Sequence, residues 1–249
     1  MGLSEVTFRE STPRVMRASL AQIARSHTLR CDAKQAERRY QELDRLLSQI
    51  PNLTLGSVLP RPFIKGAQPV YSEELDGDGT PVISTMAIQG LSINVEACRL
   101  ARQVDFGPAN IRQPRLNDVL LTLDGGVSIG KPALFTFAET FAIDSHVAIL
   151  RDVVIDPRLL VYLLASPIGQ AQFQRAESGA SGQTGVTEDD VRRFRFPSIE
   201  PGAAESAVAD LEASRAEVRK AREAAQAQET EAWKQFVKAT WASVNHQDS

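Results

Sequence analysis

Asp118-Val-Leu-Leu-Thr-Leu-Asp-Gly-Gly-Val-Ser-Ile-Gly-Lys131 decides the fold of this chain, because its two readings lead to different proteins. Taken as a pattern, Gly125 to Lys131 is G-x-x-x-x-G-K, the core of a phosphate-cradling loop. Such a loop needs a Ser or Thr after the Lys to hold Mg²⁺, then a helix whose N-terminus faces phosphate. Pro132 follows Lys131 instead, so that hydroxyl is absent. Ala133-Leu-Phe-Thr-Phe-Ala-Glu-Thr-Phe141 then alternates as a strand does. The stretch reads as strand, glycine turn and strand, which weighs against nucleotide binding.

The surrounding segment, from about Leu53 to Pro197, is rich in Pro and Gly and carries short apolar or alternating runs. Val82-Ile-Ser-Thr, Asp118-Val-Leu-Leu-Thr-Leu, Ala133-Leu-Phe-Thr-Phe and Val147-Ala-Ile-Leu predict strands. Asp156 followed by Pro157 predicts a helix start. Thr187 with Asp190 three residues on is close to a capping box. The expected fold class is α+β, with one mixed domain over residues 53–199.

Helices are expected on both sides. Before the domain, in residues 1–52, Thr12-Pro13 reads as a cap and first helical residue, with Met16, Leu20 and Ile23 at helical spacing. Asp32 can cap a second helix, whose Ala36, Tyr40, Leu43, Leu47 and Ile50 follow a two-heptad seam that Pro51 ends. After the domain, residues 200–249 hold one long helix without Pro or Gly beyond Gly202. Its seam runs through Val208, Leu211, Arg215, Val218, Ala225, Ala232, Phe236 and Ala239. A rod of that length needs a partner to cover its stripe, so a coiled coil is expected. Leu43, Leu47, Val208, Leu211, Val218 and Phe236 are the candidate helix-pairing residues.

Charge separates the same three segments. Residues 1–50 hold 9 Lys and Arg against 6 Asp and Glu, residues 51–199 hold 13 against 16, and residues 200–249 hold 6 against 9. The oppositely charged ends are plausible partners, within one chain or between two copies. The net charge of −3 argues against a purely electrostatic nucleic-acid binder. No apolar run approaches the ~20 residues of a membrane span, and no leader pattern opens the chain, so a cytoplasmic location is expected. Cys31 and Cys98 are too few for a disulfide framework, and His27, His146 and His246 are not at zinc-ligand spacing.

The middle segment and the rod together resemble half of a type I restriction–modification DNA specificity subunit. The resemblance rests on segments in a fixed order: Leu53-Thr-Leu-Gly-Ser-Val58 as an opening strand, Thr80-Pro-Val-Ile-Ser-Thr-Met-Ala-Ile88, and the Asp118–Lys131 stretch, similar to the family's "gDvLlt..g..iGk". Ile155-Asp-Pro-Arg-Leu-Leu-Val-Tyr-Leu-Leu-Ala-Ser-Pro-Ile-Gly-Gln170, Ser181-Gly-Gln-Thr-Gly-Val-Thr187 and the exit strand Phe194-Arg-Phe-Pro197 follow. The resemblance implies a target recognition domain with a spacer helix. It further implies double-stranded DNA and a DNA adenine methyltransferase subunit as partners, self-association through helices, and a role in phage defence. S-adenosylmethionine would belong to the partner, with no cofactor held by this chain. Two departures stand out. Ser206 follows Glu205 where the family usually has Glu-Gln, and the chain carries one recognition domain where members usually carry two.

Base and phosphate contacts then have candidate residues. Lys131 beside the glycines can meet a phosphate, or be a solvated lysine on a tight turn. Ser128 lies on the same turn. Gln183 and Thr184 sit in a polar loop where Gln183 can read adenine, or the loop is a plain linker. Ser84, Thr85 and Gln89 flank a strand with donors and acceptors, and Arg112 and Arg115 lie in a loop between prolines. Arg192, Arg193 and Arg195 cluster near the domain exit, with Asp189 and Asp190 as structural partners in the alternative reading. No methyltransferase motif, dinucleotide fingerprint or paired His–carboxylate nuclease cluster is visible, so the chain is expected to be non-catalytic. The competing reading is a coiled-coil adaptor or regulator of a defence system that reads no bases.

Overall fold

In the computed structural model, residues 33–71, 79–179 and 184–245 are described. The first N-terminal helix expected at Thr12–Ile23, with Cys31, Asp32 and Gln183, lies outside them. A 3₁₀ turn over Ala33–Ala36 leads into helix α1, Arg38–Ser48. Strand β1, Asn52–Thr54, passes directly into the short helix α2, Leu55–Val58. The opening strand expected through Val58 is therefore cut at Thr54, because Leu55 and Val58 turn inward on one helical face and are buried.

Next come β2 (Ile64–Lys65), β3 (Val70–Tyr71), β4 (Thr80–Ile83), β5 (Ile88–Gln89), β6 (Ser92–Ile93) and β7 (Arg99–Gln103). Then follow β8 (Val119–Thr122), β9 (Pro132–Leu134), β10 (Ala142–Ile143) and β11 (Val147–Leu150). Helices α3 (Pro157–Ala165), α4 (Pro167–Ala176) and α5 (Glu188–Arg192) precede the last strand, β12 (Arg195–Pro197). Helix α6 (Pro201–Asn245) ends the described chain. The fold class is α+β.

The strands form two four-stranded sheets, β10-β4-β7-β3 and β2-β11-β8-β9, with the pairs β1-β12 and β5-β6. All four residues of β8 are buried, because it is covered on both faces. Leu120 faces a core shared with Ile83, Ile143, Ile149, Phe135 and Phe141 between the sheets. Val119 and Leu121 face the other way, into Leu160, Leu164, Phe173, Phe194 and Phe196. Burial on two faces is why the run is continuously apolar rather than alternating.

Side chains fix the helix starts. Asp156 accepts a hydrogen bond from the backbone of Arg158, and Ser166 accepts one from Gly169, each ahead of a proline at the first helical position. Thr187 and Asp190 complete a reciprocal capping box. The antiparallel register Asn52↔Pro197, Leu53↔Phe196 and Thr54↔Arg195 joins the domain's entrance to its exit.

Helix α1 corrects the pairing expected for Leu43 and Leu47. Tyr40, Leu43 and Leu47 are buried against Ala171, with Ile168 and Ile50 beside them. Asp44 binds Arg175 at 2.7 Å and Arg195 at 2.8 Å. The buried side chains of this seam are taken up by packing against α4 within the domain. The helix also begins at Arg38 and stops at Ser48, inside the span expected between Asp32 and Pro51 at both ends.

The contacts divide the chain after Ser198, and α6 lies in the second unit. Its 45 residues make a rod of about 67 Å. Leu211, Val218, Trp233, Phe236, Val237 and Trp241 are exposed along it, whereas Val208 is buried. Trp233 and Phe236 meet edge to face at 5.7 Å.

Candidate nucleic-acid interface

The glycine turn is a hairpin between antiparallel strands, in the register Val119↔Leu134, Leu120↔Ala133 and Leu121↔Pro132. No helix follows Lys131, so the phosphate-loop geometry is absent. Thr122 clamps the turn, its hydroxyl bonding the Ser128 carbonyl and accepting from the Lys131 backbone at 2.9 Å. Gly130, at φ 78°, lies against the Phe173 ring, where an added Cβ would come within 2.6 Å. The Gln170 amide donates to the Gly130 carbonyl at 2.9 Å. Helix α4 thus props the turn from inside, and Gly130 serves this packing rather than approach to a phosphate.

Other loops meet the turn at the same end of the strands. A Cβ at Gly125 would lie 3.7 Å from the Thr85 methyl. The backbone of Asp144 donates to the Ile83 carbonyl, next to Ser84, at 3.2 Å. Leu123 donates to the His146 carbonyl at 3.0 Å, and Val186 donates to the Leu123 carbonyl at 2.8 Å. Gly66 passes so close to the 143–144 backbone that a Cβ would fall 2.1 Å from the Asp144 carbonyl oxygen. Gln68 accepts from the Ser145 hydroxyl at 3.2 Å. Asp124 pairs with Gly185 through an isolated bridge, and Gly185 pairs with Ser178. The sheets therefore gather Ser84, Thr85, Asp124, Ser145, His146 and Thr184 around one turn.

The charges there are mixed. The His146 Nδ1 binds an Asp124 carboxylate oxygen. Burial pushes the Asp144 carboxyl up, opposed by the backbone N–H of His146, which it accepts at 2.9 Å. Glu177 is held below its ordinary range by hydrogen bonds from Lys34 and Thr184. Cys98, away from this cluster, is pushed up to about 11 by burial, which leaves it an unreactive thiol.

The candidate residues do not all converge. Ser128 is buried and takes a 3.3 Å hydrogen bond from Lys131 Nζ, so its role as a direct contact is corrected to bracing Lys131. Arg112 and Arg115 sit at the opposite end of β8. The buried Asp118–Arg151 pair, 2.7 Å, anchors their loop through the Ile111 and Gln113 carbonyls. Arg112 is further bound to Asp105, while Arg115 is exposed. Gln89 lies on the β5–β6 hairpin with its amide turned to the Met86 carbonyl at 2.8 Å. The arginine cluster does not pair with Asp189 and Asp190. Arg192 binds Glu188, four residues back, and Arg195 binds Asp44 on α1.

Asp124, His146, Ser145 and Gln68 were not singled out in the sequence. The Asp124–His146 pair is a single contact and does not make the paired His–carboxylate nuclease cluster that the sequence lacks. The two residues stand 22 positions apart on separate turns, so only strand pairing unites them. Among the described residues, no three His, Cys, Asp or Glu side chains gather to hold a metal ion. Among them, no helix is long and apolar enough to cross a membrane.

No family model matches the sequence, and no curated protein does. Solved structures do. A chain from a structure of the assembly and conformational transition of the type I R-M system matches 82% of this chain and 50% of its own length, at 17% identity and TM-score 0.50. The HsdS subunit from Thermoanaerobacter tengcongensis shows the same coverage and identity at TM-score 0.48. The type I restriction–modification S subunit from M. genitalium matches 65% of this chain at 13% identity and TM-score 0.44. The fold is shared with a chain of the type I R-M system, and this chain covers 50% of the first two of these chains and 38% of the M. genitalium subunit.

Proposed function

We propose that this chain reads a short sequence in double-stranded DNA and brings a partner DNA adenine methyltransferase to it, doing no chemistry itself. The observation that carries the reading is the convergence of four loops, with Ser84, Thr85, His146 and Thr184 among their side chains, on the glycine turn that carries Lys131. The fold shared with a chain of the type I R-M system supports it. Sequence readout needs such preset donors and acceptors at base edges, with cations for the phosphates. S-adenosylmethionine would be bound by the partner, which would flip the adenine. The assembly would act in the cytoplasm in restriction or phage defence. Two copies joined through α6 would bring two recognition domains together. The net charge of −3 fits a reader whose grip on phosphate comes partly from that partner.

The test is selection of randomised duplex DNA by the full chain. Enrichment of one short sequence is expected, and binding without preference would contradict the reading. A second reading, an adaptor that pairs through α6 and reads no bases, is favoured by the exposed apolar residues of the rod. It predicts assembly with no preferred DNA.

A further inference from the structure

We propose that Asp124 and His146 act as one base-reading pair, which accepts the exocyclic amino group of a cytosine or adenine in the major groove rather than holding a phosphate. The inference deepens the DNA-recognition reading above and rests on it. Both side chains reach solvent beside the glycine turn, with His146 52% and Asp124 32% exposed. One Asp124 oxygen is taken by His146 Nδ1, and among the described residues the other carries no hydrogen bond and can serve as an acceptor. A carboxylate beside Nδ1 places the imidazole proton there, so Nε2 is the outward nitrogen.

The backbone of each member is fixed. Asp124 is bridged to Gly185. The His146 carbonyl accepts from Leu123 at 3.0 Å, and its N–H donates to Asp144 at 2.9 Å. Fixed backbones position a contact before the ligand arrives, which direct readout requires.

The sign of the charge selects the ligand. A carboxylate at a DNA surface is repelled by phosphate, and it gains only where a base presents a donor. Cytosine N4 and adenine N6 are the amino donors of the major groove. Lys131, on the same turn and braced by Ser128 at 3.3 Å, is the group suited to phosphate. The turn therefore offers one cation for position and one carboxylate, held by His146, for sequence.

Asp124→Asn and His146→Gln test this in the full chain, by selection from randomised duplex DNA and by titration against salt. Both preserve shape, and unfolding midpoints check that both fold. Each variant is expected to relax the same single base-pair position by roughly 10- to 100-fold and to leave the salt slope unchanged. If the wild type is selective and both variants keep every preference, the pair does not read bases. A lowered salt slope with preferences intact would likewise overturn it. If the wild type itself selects nothing, the recognition reading falls first, and the two failures are told apart by that control.

Discussion

Gly130 shows how a residue can look functional and be structural. Its place in a G-x-x-x-x-G-K pattern suggested phosphate, yet its positive φ and the Phe173 ring account for it. Gly130→Ala combines left-handed strain with overpacking and should destabilise the fold by about 2–4 kcal/mol, measured by urea unfolding. An unchanged midpoint would mean that Phe173 can move away. Asp144 gives a pH-dependent prediction. Burial raises its folded carboxyl above the unfolded value. Its stability contribution is thus full below the unfolded value and is lost as pH rises through the folded one. Asp144→Asn keeps an acceptor for the His146 N–H and removes that loss. The variant should be more stable than wild type at pH 7, with the gap closing below the carboxylate range. A less stable variant at pH 7 would show that His146 needs the charge. At this scale the sequence was readable where one residue carries the signal, as at Asp156-Pro157 and the Thr187 capping box. The Asp124–His146 pair was not, because sequence spacing says nothing about which turns meet.

At the scale of elements, β8 and the rod were legible, for opposite reasons. β8 is covered on both faces and reads as an unbroken apolar run. The rod is long, free of internal proline and rich in alanine, so its helical character survives without tertiary context. Two-residue strands such as β2, β3 and β10 left no trace, since two residues show no period. Helix α1 misled, because a seam of Tyr40, Leu43 and Leu47 has the same spacing whether the partner is another chain or α4. The exposed stripe of α6 yields the assembly prediction. Replacing Leu211 and Val218 together by Asp buries charge in any paired seam and should separate the copies, read by light scattering. Both tryptophans of the chain, Trp233 and Trp241, lie on this helix, so intrinsic fluorescence reports the same event. Pairing should shift their emission to the blue, and the double variant should shift it back. Unchanged scattering and emission would show that the rod is not the interface.

For the whole molecule, one recognition domain per chain implies a two-fold assembly. In the proposed assembly, two identical copies would read the same half-site in opposite directions, with the bases between the half-sites unread. The site is then an interrupted palindrome. Lys131→Ala should weaken binding to every sequence alike and lower the salt slope by about one. A change in preference instead would make Lys131 a base contact. The most direct test is methylome sequencing of cells with and without this gene. Adenine methylation on both strands of one interrupted palindrome should vanish when the gene is removed. A continuous or asymmetric motif would contradict the paired assembly, and an unchanged methylome would contradict the specificity role itself.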